Sequence, residues 1–265
     1  MTQGSAGLAK AKTTFILIAV IALILPAPFF AAISAFGLSG LPVYFLQLGL
    51  YAVFFGLAFW GLRAEGLRLD LSPRRWLAAL GLAMLGWAAY ALFLHLTSLQ
   101  PLGDGLARLG QIPAWKIGAQ MLSTWLFVGL GEELLFRAYF LPACQRRLGL
   151  GEGHRGLTAA VLVSSLFFSL WHLPVRLNAV LSGELSPLLL AVSLLILFVL
   201  GLAFAWLYVR SGNILLVGLV HGLMDFPLLG LDLQLSFLIL LFVIAAVELS
   251  RRLRAAKPAV EKEYN

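Results

Sequence analysis

The sequence predicts an all-α polytopic membrane protein with about eight transmembrane helices, and three observations carry that expectation. Of the 265 residues, 61% are hydrophobic and only 12% charged, with a mean hydropathy of +0.96, well beyond the usage of a soluble domain. Apolar runs near the ~20 residues that cross about 30 Å of hydrocarbon recur along the chain. The basic residues also alternate in density from one connection to the next, as the positive-inside rule requires of a multi-pass protein.

The first run, 14–36, follows Lys10 and Lys12 and so resembles a signal peptide. It is longer than a usual h-region and lacks a clean cleavage site, so it is read as a retained span. Runs 41–62 and 76–96 come next, and 116–140 is a fourth apolar stretch with three charges inside it. The fifth, 157–173, and the seventh, 214–226, end at or near Pro174 and Pro227, because the residue before a proline disfavours helix. Short spans of that kind need protein or water to cover their exposed backbone. Between them lies the sixth, 187–208, and the eighth is 231–249.

With the N-terminus cytoplasmic, the inside segments hold 15 Lys and Arg and the outside segments 3, namely Arg108, Lys116 and Arg176. Both termini are therefore expected in the cytoplasm. The tail from Arg251 reads as a solvated stop-transfer end that does not require contact with anionic lipid. A net charge of +7 thus records orientation, and no nucleic-acid partner is expected. The single cysteine, Cys144, excludes an internal disulfide.

Ionisable residues inside such spans are functional candidates, because a charge in hydrocarbon is costly unless paired or watered. They are Glu132, Glu133 and Arg137 on the fourth run, His172 on the fifth, and His221 with Asp225 on the seventh. His95, Asp104, His154, Asp232 and Glu248 fall at span ends or in connections and are expected at the interface. Glu132 lies ~24 Å from the outer end of its helix, His221 ~12 Å from the inner end of its own, and His172 ~22 Å from the inside. These depths are compatible with one cavity.

Helical phase divides the two glutamates. Glu133 and Arg137 are four apart and share a face in the order that favours an ion pair, whereas Glu132 points about 100° away with no partner built into its own helix. An unpaired, half-desolvated Glu132 suits a general base. His221 and Asp225 are also four apart, so the carboxylate can orient the imidazole. Gly218 and Gly222 flank that histidine in a GxxxG pattern that permits close helix approach. Each feature has a plainer reading: a neutralised structural pair, a histidine donating between helices, and Phe167, Phe168 and Trp171 as packing. Their convergence on three spans exceeds what packing requires.

The stretches EELLFR (Glu132 to Arg137), FSLWH (Phe168 to His172) and HGLMD (His221 to Asp225) resemble, in order and spacing, the motifs EExxxR, FxxxH and HxxxN/D of the CAAX protease and bacteriocin-processing family, the ABI or Rce1-like intramembrane proteases. The resemblance covers about 116–230. It implies a catalytic core on spans four to seven, preceded by a three-span region, 1–115, and followed by a last span and basic tail, 231–265. The first three spans and the tail carry no motif of their own.

The resemblance further implies a glutamate-dependent intramembrane endopeptidase of a bacterial cytoplasmic membrane, with no metal and no cofactor. Glu132 and His172 would activate water, His221 and Asp225 would stabilise the oxyanion, Glu133 and Arg137 would form a structural pair, and Phe168 would line the site. Substrates implied are membrane-associated proteins or peptides, lipidated or bearing a C-terminal sorting signal. One departure is Asp225 where the family often has Asn. An ionised carboxylate cannot donate to an oxyanion, so Asp225 is read as orienting His221. Two rivals stay open: a zinc peptidase using His172, His221 and Glu132, although no HExxH occurs, and a non-catalytic transporter, immunity or scaffold protein, although no internal repeat is visible.

Overall fold

A computed structural model describes residues 2–38, 41–149, 153–228, 231 and 234–256, and among these there is no strand. The chain is an all-helical, multi-pass membrane protein. Among the described residues, five helical segments are long and apolar enough to cross a membrane: Lys12–Ile33, Pro42–Ala64, Pro73–Leu96, Gly153–Leu181 and Pro187–Ser211. Contacts divide the chain into two compact units, Met1–Leu69 with Gly131–Trp206, and Asp70–Leu130 with Leu207–Asn265.

The first unit begins with α1 (Thr2–Ile24) and α2 (Pro26–Ala35). A turn at Leu25 divides what the apolar run alone presents as one span, because Pro26 disfavours helical geometry in the residue before it. Next come α3 (Leu41–Ala64), α7 (Gly131–Glu133), a π-helical stretch π2 (Leu134–Phe140), α8 (Leu141–Arg147), α9 (Gly153–Trp171), α10 (Leu173–Leu181) and most of α11 (Pro187–Ser211). The core forms where α3 packs on α7 and π2, and where α9 packs on π2 and α8. Tyr139 and Phe140 of π2 are enclosed there. Leu188, Leu189, Val192, Leu195, Ile196 and Val199 of α11 stay exposed, as a lipid-facing surface does.

Glu65 lies just past α3 with its side chain enclosed, and it accepts two hydrogen bonds from Arg147, Nε to Oε1 at 2.8 Å and Nη2 to Oε2 at 2.9 Å. Arg146 adds a third contact at 3.1 Å. Those hydrogen bonds from Arg147 to Glu65 raise the guanidinium further above its ordinary value. The end of α3 and the end of α8 therefore share one end of the unit.

The second unit holds α4 (Pro73–Leu96), α5 (Leu102–Leu109), α6 (Ala114–Met121), a second π-helical stretch π1 (Leu122–Leu130), α12 (Ile214–Asp225) and α13 (Phe237–Ala256). The α5 helix falls in what sequence periodicity leaves as a connection. Asn213 caps α12, its side-chain oxygen accepting from the N–H groups of Leu215 and Leu216 at 3.2 and 3.4 Å, which satisfies two of the orphan donors of a helix start. Close packing of α12 on π1 depends on glycine: a Cβ on Gly129 would collide with backbone atoms of Gly218 and Gly222. The GxxxG pattern is thus a contact surface. α13 begins and ends six to seven residues later than the apolar run 231–249.

Of the residues expected at the interface, four can be described. His95 and Asp104 are exposed near the end of α4 and in α5, and His154 is exposed at the start of α9. Glu248 pairs with Arg210 at 3.2 Å. Asp232 and the tail beyond Ala256 lie outside the described residues.

Candidate active site

In the first unit the three charges of α7 and π2 are fully enclosed: Glu132 is 2% exposed, Glu133 0% and Arg137 0%. Arg137 Nε lies 3.1 Å from Glu133 Oε2, so the i,i+4 pair expected from phase is formed. Its NH2 donates to the Gly201 carbonyl of α11 at 3.1 Å. Its guanidinium also stacks over the Phe168 ring of α9, 4.3 Å from the centroid, with Phe204 and Phe136 slightly farther away. Gly201 permits that approach, since a Cβ there would press on Ser165 and Phe168 at 3.1 to 3.3 Å. A buried guanidinium needs such compensation, because desolvation alone would cost several kcal/mol.

Glu132 departs from its sequence expectation of having no partner. The Tyr51 hydroxyl on α3 donates to its Oε1 at 2.7 Å. Burial is also complete rather than partial. The second span, α3, therefore contributes a contact to Glu132, although no motif announces it; the only cue was a tyrosine hydroxyl in the middle of an apolar run. Tyr51 is fixed in turn by Phe54 and Trp171, whose rings lie 5.8 and 6.5 Å from it.

His172 sits at the break between α9 and α10, where Pro174 occupies the first turn of the new helix. Its Nδ1 is 2.8 Å from the Phe168 carbonyl. A carbonyl only accepts, so Nδ1 carries the proton, and in the neutral ring Nε2 is the basic nitrogen. Phe168 and Trp171 hold the ring edge-on, each centroid 4.8 Å away. Phe168 therefore touches both Arg137 and His172.

In the second unit, His221 Nε2 lies 3.6 Å from Asp225 Oδ2 on α12, within ion-pair reach but longer than a hydrogen bond. His221 is buried and Asp225 exposed. Trp125 of π1 donates from Nε1 to the Phe226 carbonyl at 3.1 Å and holds the end of α12. Pro227 follows at once, as expected for the short seventh run. Within their units, the structure thus brings Glu133, Arg137, Phe168 and His172 into one connected cluster, Glu132 against Tyr51, and His221 beside Asp225.

The two glutamates lie on the three-residue α7 between π1 and π2 along the chain, and Arg137 lies within π2, a feature no sequence pattern indicated. Wider i→i+5 turns cluster at functional sites. No group of three or more His, Cys, Asp or Glu side chains placed to hold a metal occurs among the described residues.

Residues 114–227 match the family described as Type II CAAX prenyl endopeptidase Rce1-like. Over this segment the chain is similar to that family. The Rce1-like match runs from the start of α6 to just past α12 and includes Glu132, Glu133, Arg137, Phe168, His172, His221 and Asp225, but not Tyr51. The description of that family is of an endopeptidase. No curated protein and no solved structure matches the chain.

Proposed function

We propose that the protein is an intramembrane endopeptidase of the cytoplasmic membrane that hydrolyses a peptide bond near the C-terminus of a membrane-associated or lipidated protein. It would use eight spans with both termini inside, the catalytic core being 116–230. In this proposal Glu132 takes a proton from water, helped by His172 Nε2, and the resulting hydroxide attacks the scissile carbonyl carbon. The negative charge moves to the carbonyl oxygen, where the His221 imidazole N–H receives it, and Asp225 orients that ring. Collapse breaks the C–N bond, and the proton on Glu132 passes to the leaving amine. Glu133 and Arg137 keep the site folded, and no metal takes part. The roles of His221 and Asp225 rest on the HxxxN/D resemblance alone.

The observation that carries the proposal is the Rce1-like match across 114–227, which contains a wholly buried Glu132 held by a tyrosine hydroxyl. The decisive experiment compares C-termini of membrane proteins in cells with the wild-type chain and cells with Glu132→Ala. A set of termini that stays longer in the variant is expected. Identical termini, with both proteins present at equal level, would remove the proposal. Activity abolished by a chelator and restored by zinc would replace it with the metal-dependent alternative.

A further inference from the structure

A groove of about 770 Å³ lies within the second unit, between the first half of α4, the 210–216 junction before and into α12, and the last turns of α13. Its rim carries five arginines: Arg74, Arg75, Arg210, Arg251 and Arg254. Arg75 pairs with Asp70 at 3.1 Å and Arg210 with Glu248 at 3.2 Å, which leaves three guanidinium charges in excess. Asp70 remains ionised, because the Ser72 N–H and then Arg75 hold its carboxyl below the ordinary carboxylate value. The three elements are tied at one end: Asn213 Nδ2 donates to the Arg75 carbonyl at 3.0 Å, and Arg251 NH1 to the Arg210 carbonyl at 2.9 Å.

The groove changes character along its length. On α4 it passes from Arg74 through Gly81 to Leu85, a run of ~16 Å at 1.5 Å per residue. On α13 it passes in parallel from Arg254 back to Val247. Both helices therefore present guanidinium groups at the same end and apolar surface towards their middles. Trp76, 39% exposed beside Arg75, marks that end as the height of a membrane interface. A site for free phosphate needs no apolar floor, and a site for a hydrocarbon chain alone needs no arginines.

We propose that this groove binds one anionic phospholipid from the leaflet at that end of the bundle, with the phosphate among the arginines and an acyl chain along the apolar floor. The lipid is one of the anionic class that dominates attraction to basic juxtamembrane clusters, and its phosphate matches the forked guanidinium geometry. The site is independent of the catalytic proposal, since none of its residues belongs to the candidate active site.

Native mass spectrometry of the detergent-solubilised full chain tests it, with phosphatidylglycerol, phosphatidylcholine and inorganic phosphate added separately. One retained phosphatidylglycerol is expected, with weak retention of phosphatidylcholine and no competition from inorganic phosphate at equal concentration. Arg74→Gln with Arg254→Gln, at exposed positions outside any described ion pair, should weaken retention by roughly 30-fold, from about 1 kcal/mol per interfacial basic residue. Gly81→Trp should also weaken it without touching an arginine, since a side chain at Gly81 meets open space. A double arginine variant that melts like wild type yet retains phosphatidylglycerol equally would overturn the proposal. So would equal retention of phosphatidylcholine, or displacement of the lipid by inorganic phosphate.

Discussion

At the scale of single residues, the chain places three charges beyond the reach of water and treats each differently. Arg137 meets a carboxylate, a carbonyl and an aromatic face at once. Removing one member of such a buried pair strands the other, at a typical cost of about 3–5 kcal/mol. Glu133→Gln should therefore lower the melting temperature or the yield of folded protein sharply. The double variant Glu133→Gln with Arg137→Met should recover part of that loss in a double-mutant cycle. A stable but inactive Glu133→Gln would instead move Glu133 into the chemistry. In the proposed mechanism Tyr51 acts through Glu132: a hydrogen bond to a charged group contributes about 1.5–3 kcal/mol, so Tyr51→Phe should lower kcat/KM by roughly 10- to 100-fold. Unchanged kcat/KM in that variant would show that the hydroxyl does not position the carboxylate.

At the scale of elements, breaks matter more than the regular turns. Prolines at 26, 174 and 227 end helices where the apolar pattern alone continues or fades, and at Pro174 the break sets His172 at a helix junction with its Nδ1 on the Phe168 carbonyl. α12 is short, capped by Asn213, and packs against π1 through glycine surfaces. Gly129→Ala should therefore destabilise the fold by about 1–3 kcal/mol, since the added methyl meets backbone that cannot rotate away. Thermal unfolding in detergent measures this; a melting temperature within a degree of wild type would mean that π1 and α12 yield. The helices themselves were legible from apolar periodicity. The π-helical stretches, the α5 helix and the late start of α13 were not, because i→i+5 bonding and helix ends depend on packing that propensity does not encode.

At the scale of the whole molecule, composition decides the solvent and the Lys/Arg count proposes the orientation. Among the described residues five spans meet length and composition criteria, and the eight-span reading adds the segments around 116–140, 214–226 and 231–249. A reporter active only in the cytoplasm, fused after Ala256, should be active, and one fused at Gly110 should be silent; the reverse pattern would invert the topology.

The sequence by itself determined the membrane setting, the approximate helices, the Glu133–Arg137 pair and the GxxxG contact surface, because each follows from composition or from spacing along one helix. Only the tertiary structure decided that Glu132 has a partner and that Arg137 stacks on Phe168. It alone also gathered arginines from three distant segments around one groove. Those contacts join residues on different helices, up to 180 positions apart in the groove, from Arg74 to Arg254, and no periodicity within a single helix records which of its neighbours will face it.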